Sequence, residues 1–178
     1  SYMYLSWLAI IEGDTNLFYT YQSAINTNGS LFVGSDKEAQ NQFLNKTIPN
    51  VNLLKARLLF DGGYYDRSLA ILNKNSFKND SDYFLELTYR EAVNYQKLGK
   101  IEIAKQKFTL AFELGKSKTY YFGAKSALHL GEIYENENNI LKSKEYYQEC
   151  IDLKNHEYEQ SLEQKAKSRL NSIKTSNP

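Results

Sequence analysis

The chain has 178 residues, 42% of them hydrophobic, with 22 Lys and Arg against 21 Asp and Glu for a formal net charge of +1. A mean hydropathy of −0.59 and this balance exclude a disordered or membrane-inserted chain, and remove the field that nucleic acid or an anionic membrane would require. Nine Gly and two Pro leave long stretches without a breaker, which favours an all-α fold over short strands.

In chain order, SYMYLSWLAII lacks a basic leader region and an initiating Met, and reads as an amphipathic helix of an excised fragment rather than a signal peptide. Residues 1–12 and 15–27 are expected to form a degenerate hairpin around Gly13-Asp14, followed by a loop over Asn26 to Ser35 and a short helix over about 36–46. Pro49 starts the next helical pattern. From there the sequence repeats. Ala56, Ala92 and Gly131 are small; Leu59, Tyr95 and Tyr134 are large; Gly63, Gly99 and Asn138 mark a turn; Ser68, Ala104 and Ser143 are small; Leu72, Phe108 and Tyr147 are bulky. All five columns share offsets of 36 and then 39, which predicts three helix-turn-helix units at about 49–75, 82–115 and 119–153. Asn75 occupies an alanine position of the first unit, so its second helix is expected to be short. A charged segment at 156–174 with Leu162, Ala166, Leu170 and Ile173 on one face reads as a capping helix, giving a single helical array over 1–178.

These residues resemble tetratricopeptide repeats: Ala92, Tyr95, Gly99, Ala104, Phe108 and Ala111 match that pattern, and Leu130, Gly131, Tyr134, Tyr147 and Cys150 match it again. The stretches NLLKARLLFDGGYYDRSL, YYFGAKSALHLGEIYE and KNHEYEQSLEQKAKSRL resemble the C-terminal region of larger multi-repeat proteins of Bacteroidota. The resemblance implies a right-handed α-α superhelix of helix hairpins. It also implies a concave groove lined from the first helix of each unit, by Asn50, Leu53, Arg57, Phe60 and Asp61; by Glu86, Tyr89, Val93, Gln96 and Lys97; and by Lys125, Leu128, Glu132, Glu135 and Asn136. Three cations and four anions with Leu53, Phe60, Tyr89 and Leu128 between them suit an amphipathic peptide held by apolar contacts and oriented by charge. The clamp that takes a chaperone's terminal carboxylate is not expected, because only Arg57 is basic among Leu53, Arg57, Val93, Leu128 and Glu132.

No residues assemble a catalytic or metal-binding constellation. Gly115-Lys116-Ser117 ends like a phosphate loop, but Leu110 stands where the first glycine is needed, and a helix C-terminus capped by Gly115 is the simpler reading. His156-Glu157 opens a zinc-protease motif whose second histidine is replaced by Gln160, and His129 is the only other histidine. Cys150 falls in a column of small apolar residues and is read as a buried inert thiol. Glu132 and Glu135 share a helix face, as solvated carboxylates commonly do. The fifteen tyrosines lack the concentrated positive charge of a nucleic-acid groove.

The expected function is therefore a non-enzymatic interaction module without cofactor or metal, binding a peptide or protein segment, with no nucleic acid partner and no direct membrane insertion. A structural part of a larger solenoid, or a self-association domain, is the alternative; a cryptic hydrolase is third. Either the cytoplasm or a bacterial cell envelope would accommodate such a chain.

Overall fold

The protein is described by a computed structural model covering residues 2–28, 48–79 and 81–175. Among these residues all regular structure is helical: α1 (Tyr2–Glu12), α2 (Thr15–Asn28), α3 (Val51–Asp61), α4 (Tyr65–Leu72), α5 (Asp82–Lys97), α6 (Ile101–Gly115), α7 (Phe122–Asn136), α8 (Ile140–Asp152) and α9 (Glu159–Thr175). The chain divides into two compact units, Ser1–Leu58 and Leu59–Pro178, so the division falls inside α3.

In the first unit, α1 turns Met3, Trp7 and Ile10 inward at helical spacing, where they meet Phe18 of α2 and Leu54 of α3. Gln22 of α2 donates to the buried Ser6 hydroxyl, 2.9 Å, and Ser6 in turn donates to the Met3 carbonyl, 2.8 Å. The Asp14 carboxylate caps α2 by accepting from Leu17 N at 2.8 Å. α2 runs to Asn28 and so absorbs the first three residues of the expected loop, there being no breaker before Gly29. The remainder of that loop and the helix expected over 36–46 lie outside the described residues. Pro49 is not the first helical residue. The Asn50 side chain caps α3 by accepting from Asn52 N and Leu53 N, at 3.0 and 3.2 Å, which places Pro49 one residue before the cap.

All four hairpin turns close alike. After α5, Gly99 N donates to the Gln96 carbonyl and Lys100 N to Tyr95, at 3.1 and 2.9 Å; after α7, Asn138 and Asn139 donate to Glu135 and Tyr134, at 3.0 and 2.8 Å. Gly13-Asp14 and Gly63-Tyr64 repeat the pattern. It requires a left-handed residue after the helix, and Gly99 at φ 72° and Asn138 at φ 58° supply it with the two cheapest side chains. α4 stops at Leu72, and the Asn75 side chain folds back to donate to the Ile71 carbonyl at 2.7 Å.

Two interiors run through the second unit. The first joins Leu85, Tyr89, Ala92 and Val93 of α5 to Ala104, Phe108 and Ala111 of α6, and is completed by Phe122, Leu130 and Ile133 of α7. The second joins Ala124, Ala127 and Leu128 of α7 to Tyr147 and Cys150 of α8, and is completed by Leu162, Ala166, Leu170 and Ile173 of α9. Each hairpin thus depends on the helix that follows it, and α9 takes the place that α7 takes one unit earlier. Contact is closest at Gly131, where an added methyl would lie 2.5 Å from the Tyr147 ring. Gly115 and Gly123 form a second such crossing, with a Cβ on Gly115 falling 2.6 Å from the Gly123 Cα. This corrects the reading of Gly115 as a helix cap. It is the last residue of α6, its φ is not left-handed, and its missing side chain lets two backbones meet.

Two element starts also differ from the sequence reading. α7 begins at Phe122, with a turn before it in which Lys118 N donates to the Gly115 carbonyl at 3.1 Å. α9 begins at Glu159 because Asn155 and Tyr158 hold φ of 61° and 59°, and the segment before the helix docks by Glu157 N to the Thr119 carbonyl, 2.9 Å.

Candidate functional site

The first helices α5 and α7 carry the expected groove residues of the second unit, and α9 lies beside α7. Their side chains divide into two sets. Tyr89, Val93 and Leu128 are buried, at 7%, 8% and 2% exposure. The Tyr89 ring packs against Phe108, Tyr121, Phe122 and His129 with centroids 5.2–6.4 Å apart. In the first unit, Leu53 is likewise buried at 1%. Tyr89, Val93 and Leu128, expected to line the groove, instead fill the seams between helices, and Leu53, expected there too, is closed off from solvent. Positions three and four apart cover both the groove and the seam beside it, and the larger apolar side chains turn into the seam. Phe60 is half-buried, with its ring 5.3 Å from Tyr65.

The polar set is partly engaged. Asn50 is used as the cap of α3, and the Arg57 guanidinium lies over the Trp7 ring, 4.8 Å from its centre. Glu86 binds Arg90 one turn along α5, the Nε donating at 2.7 Å. Asp61, Lys97 and Asn136 are exposed near the C-terminal ends of their helices, and Gln96 is half-buried.

On α7 the polar row is denser. Lys125, His129 and Glu132 recur at helical spacing, with His129 Nδ1 3.4 Å from Glu132 Oε2. The imidazole stacks on Phe108, 4.8 Å between centres and 16° between planes. Burial pushes the His129 pKa down, against the pull of Glu132, while the charges of Lys125 and Lys97 push the same way as burial. Glu132 is held below its ordinary value, first by His129 and further by Arg169 and Lys125. Glu135 accepts from the Tyr147 hydroxyl at 2.6 Å and lies 3.7 Å from the Arg169 guanidinium of α9. Burial and that carboxylate both raise the Tyr147 pKa.

His129, Lys165 and Arg169 join this face although the sequence reading left them out. The available signal was Ala166, which continues the small column 35 residues after Gly131 and so places α9 as another first helix. The remaining singled-out residues do not converge. Among the described residues no group of three His, Cys, Asp or Glu is placed to hold a metal ion. His156 Nδ1 lies 2.8 Å from the Glu157 carbonyl oxygen. The Cys150 sulfur is 1% exposed, 3.9 Å from the Leu162 carbonyl, and burial pushes its thiol up to about 12.

Residues 124–157, which comprise most of α7, all of α8 and the turn after it, match the family described as tetratricopeptide repeat. Nothing among curated proteins or solved structures matches the chain significantly. With the all-helical architecture, that match supports a protein of tetratricopeptide-repeat type, a repeat that serves generally in protein interaction. No helix among the described residues is long and apolar enough to cross a membrane.

Proposed function

We propose that this chain is a non-enzymatic interaction module that holds a peptide or protein segment against the first helices of its second unit. The observation carrying the reading is the row of accessible polar side chains that α5 and α7 share, Gln96, Lys97, Lys125 and Asn136, set over two closed apolar interiors. With Tyr89, Val93 and Leu128 in those interiors, recognition rests on hydrogen bonds and charge more than on apolar anchors. Glu132 and Glu135 serve this face as partners of His129, Tyr147 and Arg169.

A displayed library of random dodecapeptides, selected on the native chain and then on a Gln96→Ala, Lys97→Glu, Asn136→Lys variant, tests the reading. Peptides retained by the native chain and lost by the variant are the expected result. Equal retention by both, or no retained peptide, overturns it. Tyr89 is excluded from the variant because truncating a buried ring would unfold the interior.

A second reading, self-association, draws on α1, where Tyr4, Leu5 and Leu8 form an exposed apolar row at 51%, 41% and 51%. Light scattering of the native chain and of a Leu5→Lys, Leu8→Lys variant separates it from the first: a dimer lost in the variant supports it, and a monomer throughout removes it.

A further inference from the structure

The acids and bases of the face formed by α5, α7 and α9 are matched unequally. Both carboxylates of α7 are engaged, Glu132 with His129 at 3.4 Å, and Glu135 with Tyr147 at 2.6 Å and Arg169 at 3.7 Å. The lysines are not. Among the described residues no carboxylate lies within the 4.0 Å ion-pair distance of Lys97, Lys125 or Lys165. Elsewhere in the unit, lysines do find acids: Lys105 sits 2.7 Å from Glu102 and 2.9 Å from Glu137, and Lys107 is 2.6 Å from Glu91.

Lys125 is the costliest case. It is half-buried on the second turn of α7, its neighbour across the helix pair is the like-charged Lys165, and burial followed by Lys165 lowers its pKa against the weaker pull of Glu132. The first turn of α7 adds positive potential, since it holds no acidic residue and its cap position, Tyr121, makes no side-chain hydrogen bond to it. One turn further on, His129 senses both Lys125 and Lys97, while Lys165 acts on Lys125 from α9. A half-desolvated ammonium without a counter-ion is unfavourable in the chain alone and gains most when an anion is seated beside it.

We infer that Lys125 and Lys165, with Lys97 on the neighbouring first helix, receive the side-chain carboxylates of an acidic peptide segment lying across α5, α7 and α9. This rests on the peptide-binding reading and specifies the chemistry of the partner. A peptide is favoured over a nucleic acid because the positive region is confined to these few residues in a chain of net charge +1.

The test is fluorescence anisotropy of the full chain with fluorescein-labelled hexaglutamate, and with hexaglutamine and an oligothymidylate of equal length. Hexaglutamate is expected to bind and to be released by about 0.5 M salt, with affinity reduced about fivefold by Lys125→Gln and by Lys165→Gln, and unchanged by Lys74→Gln. Lys165 is exposed, so that variant reports on binding even where Lys125→Gln perturbs the fold, which circular dichroism monitors. No binding of hexaglutamate, equal binding of hexaglutamine, no loss with Lys165→Gln, or equally tight oligothymidylate binding through the same lysines would each overturn the inference. In the library selection, neutral or basic peptides retained through Gln96 and Lys97 would overturn it while leaving the peptide-binding reading intact. An empty selection would remove that reading first.

Discussion

In the hairpin α5–α6 the small column is Ala92 and the bulky column Phe108; in α7–α8 the same places hold Gly131 and Tyr147, each residue buried in the interior of its own unit. The total volume is similar and its division is not. Gly131 yields the space of one methyl, and the larger ring that uses it reaches through its hydroxyl to Glu135, which is itself tied toward α9 by Arg169. Phe108 has no such reach and is covered by the His129 ring of α7. Both hairpins therefore obtain their closing contact from the following helix, one through stacking and the other through a carboxylate shared with an arginine.

The difference can be broken first at Gly131. Gly131→Ala places a methyl against Cδ1 and Cε1 of Tyr147 and is expected to lower unfolding stability in urea by about 1–3 kcal/mol, despite the gain in helix propensity. Because ring carbons make the clash, Tyr147→Phe should not rescue it, whereas Tyr147→Leu should recover part of the loss; additive losses in that pair would show the contact to be unimportant.

The turns give the next effect. Gly99→Ala imposes a left-handed Cβ and is expected to cost about 1–2 kcal/mol, while Asn138→Gly should raise stability by about 0.5 kcal/mol, both read from thermal unfolding. A loss at Asn138→Gly would mean that its side chain contributes more than its backbone conformation.

Acid should strike the stacked hairpin first. The folded His129 pKa lies below the ordinary 6.5, so the unfolded chain binds the proton more readily; the stabilisation is complete above that pH and is lost as the pH falls through the folded value. Chemical-denaturation midpoints measured downward from neutral pH should show this component, and His129→Gln should abolish it. If the variant keeps the same slope, another group is titrating.

The smallest difference concerns Cys150, which stands where the hairpin α5–α6 has Ala111. With its thiol buried and raised to about 12, it should fail to react with a disulfide reagent at about pH 8 in the native chain and react fully in urea. Prompt native labelling would show that α9 opens readily.

The repeated hairpins were legible in the sequence because three signals coincide in each: a small residue, a large one three positions later (Leu59, Tyr95 or Tyr134), and a left-handed turn residue. Asn138 shows the strength of this agreement, since the turn is recovered without a glycine. Signals that depend on a distant partner were not legible. Gly115 sits at a helix end and invites a capping interpretation, but its reason is Gly123, on the next helix. Pro49 looks like a first helical residue until Asn50 is seen to cap. For the candidate site, the sequence named the polar residues of α5 and α7 and offered Leu53, Tyr89 and Leu128 as apolar anchors although they are buried, because helical period alone does not separate a groove from the seam beside it.

The short connections from the third helix onward are uniform, three residues each at 62–64, 98–100 and 137–139. Those that follow the last three hairpins are not, running over 73–81, 116–121 and 153–158. Changes of chain length are thus confined to the joints between modules. A residue added at 98–100 would rotate every later side chain of α6 out of phase with α5, whereas the same residue added within 73–81 would leave both hairpin registers untouched.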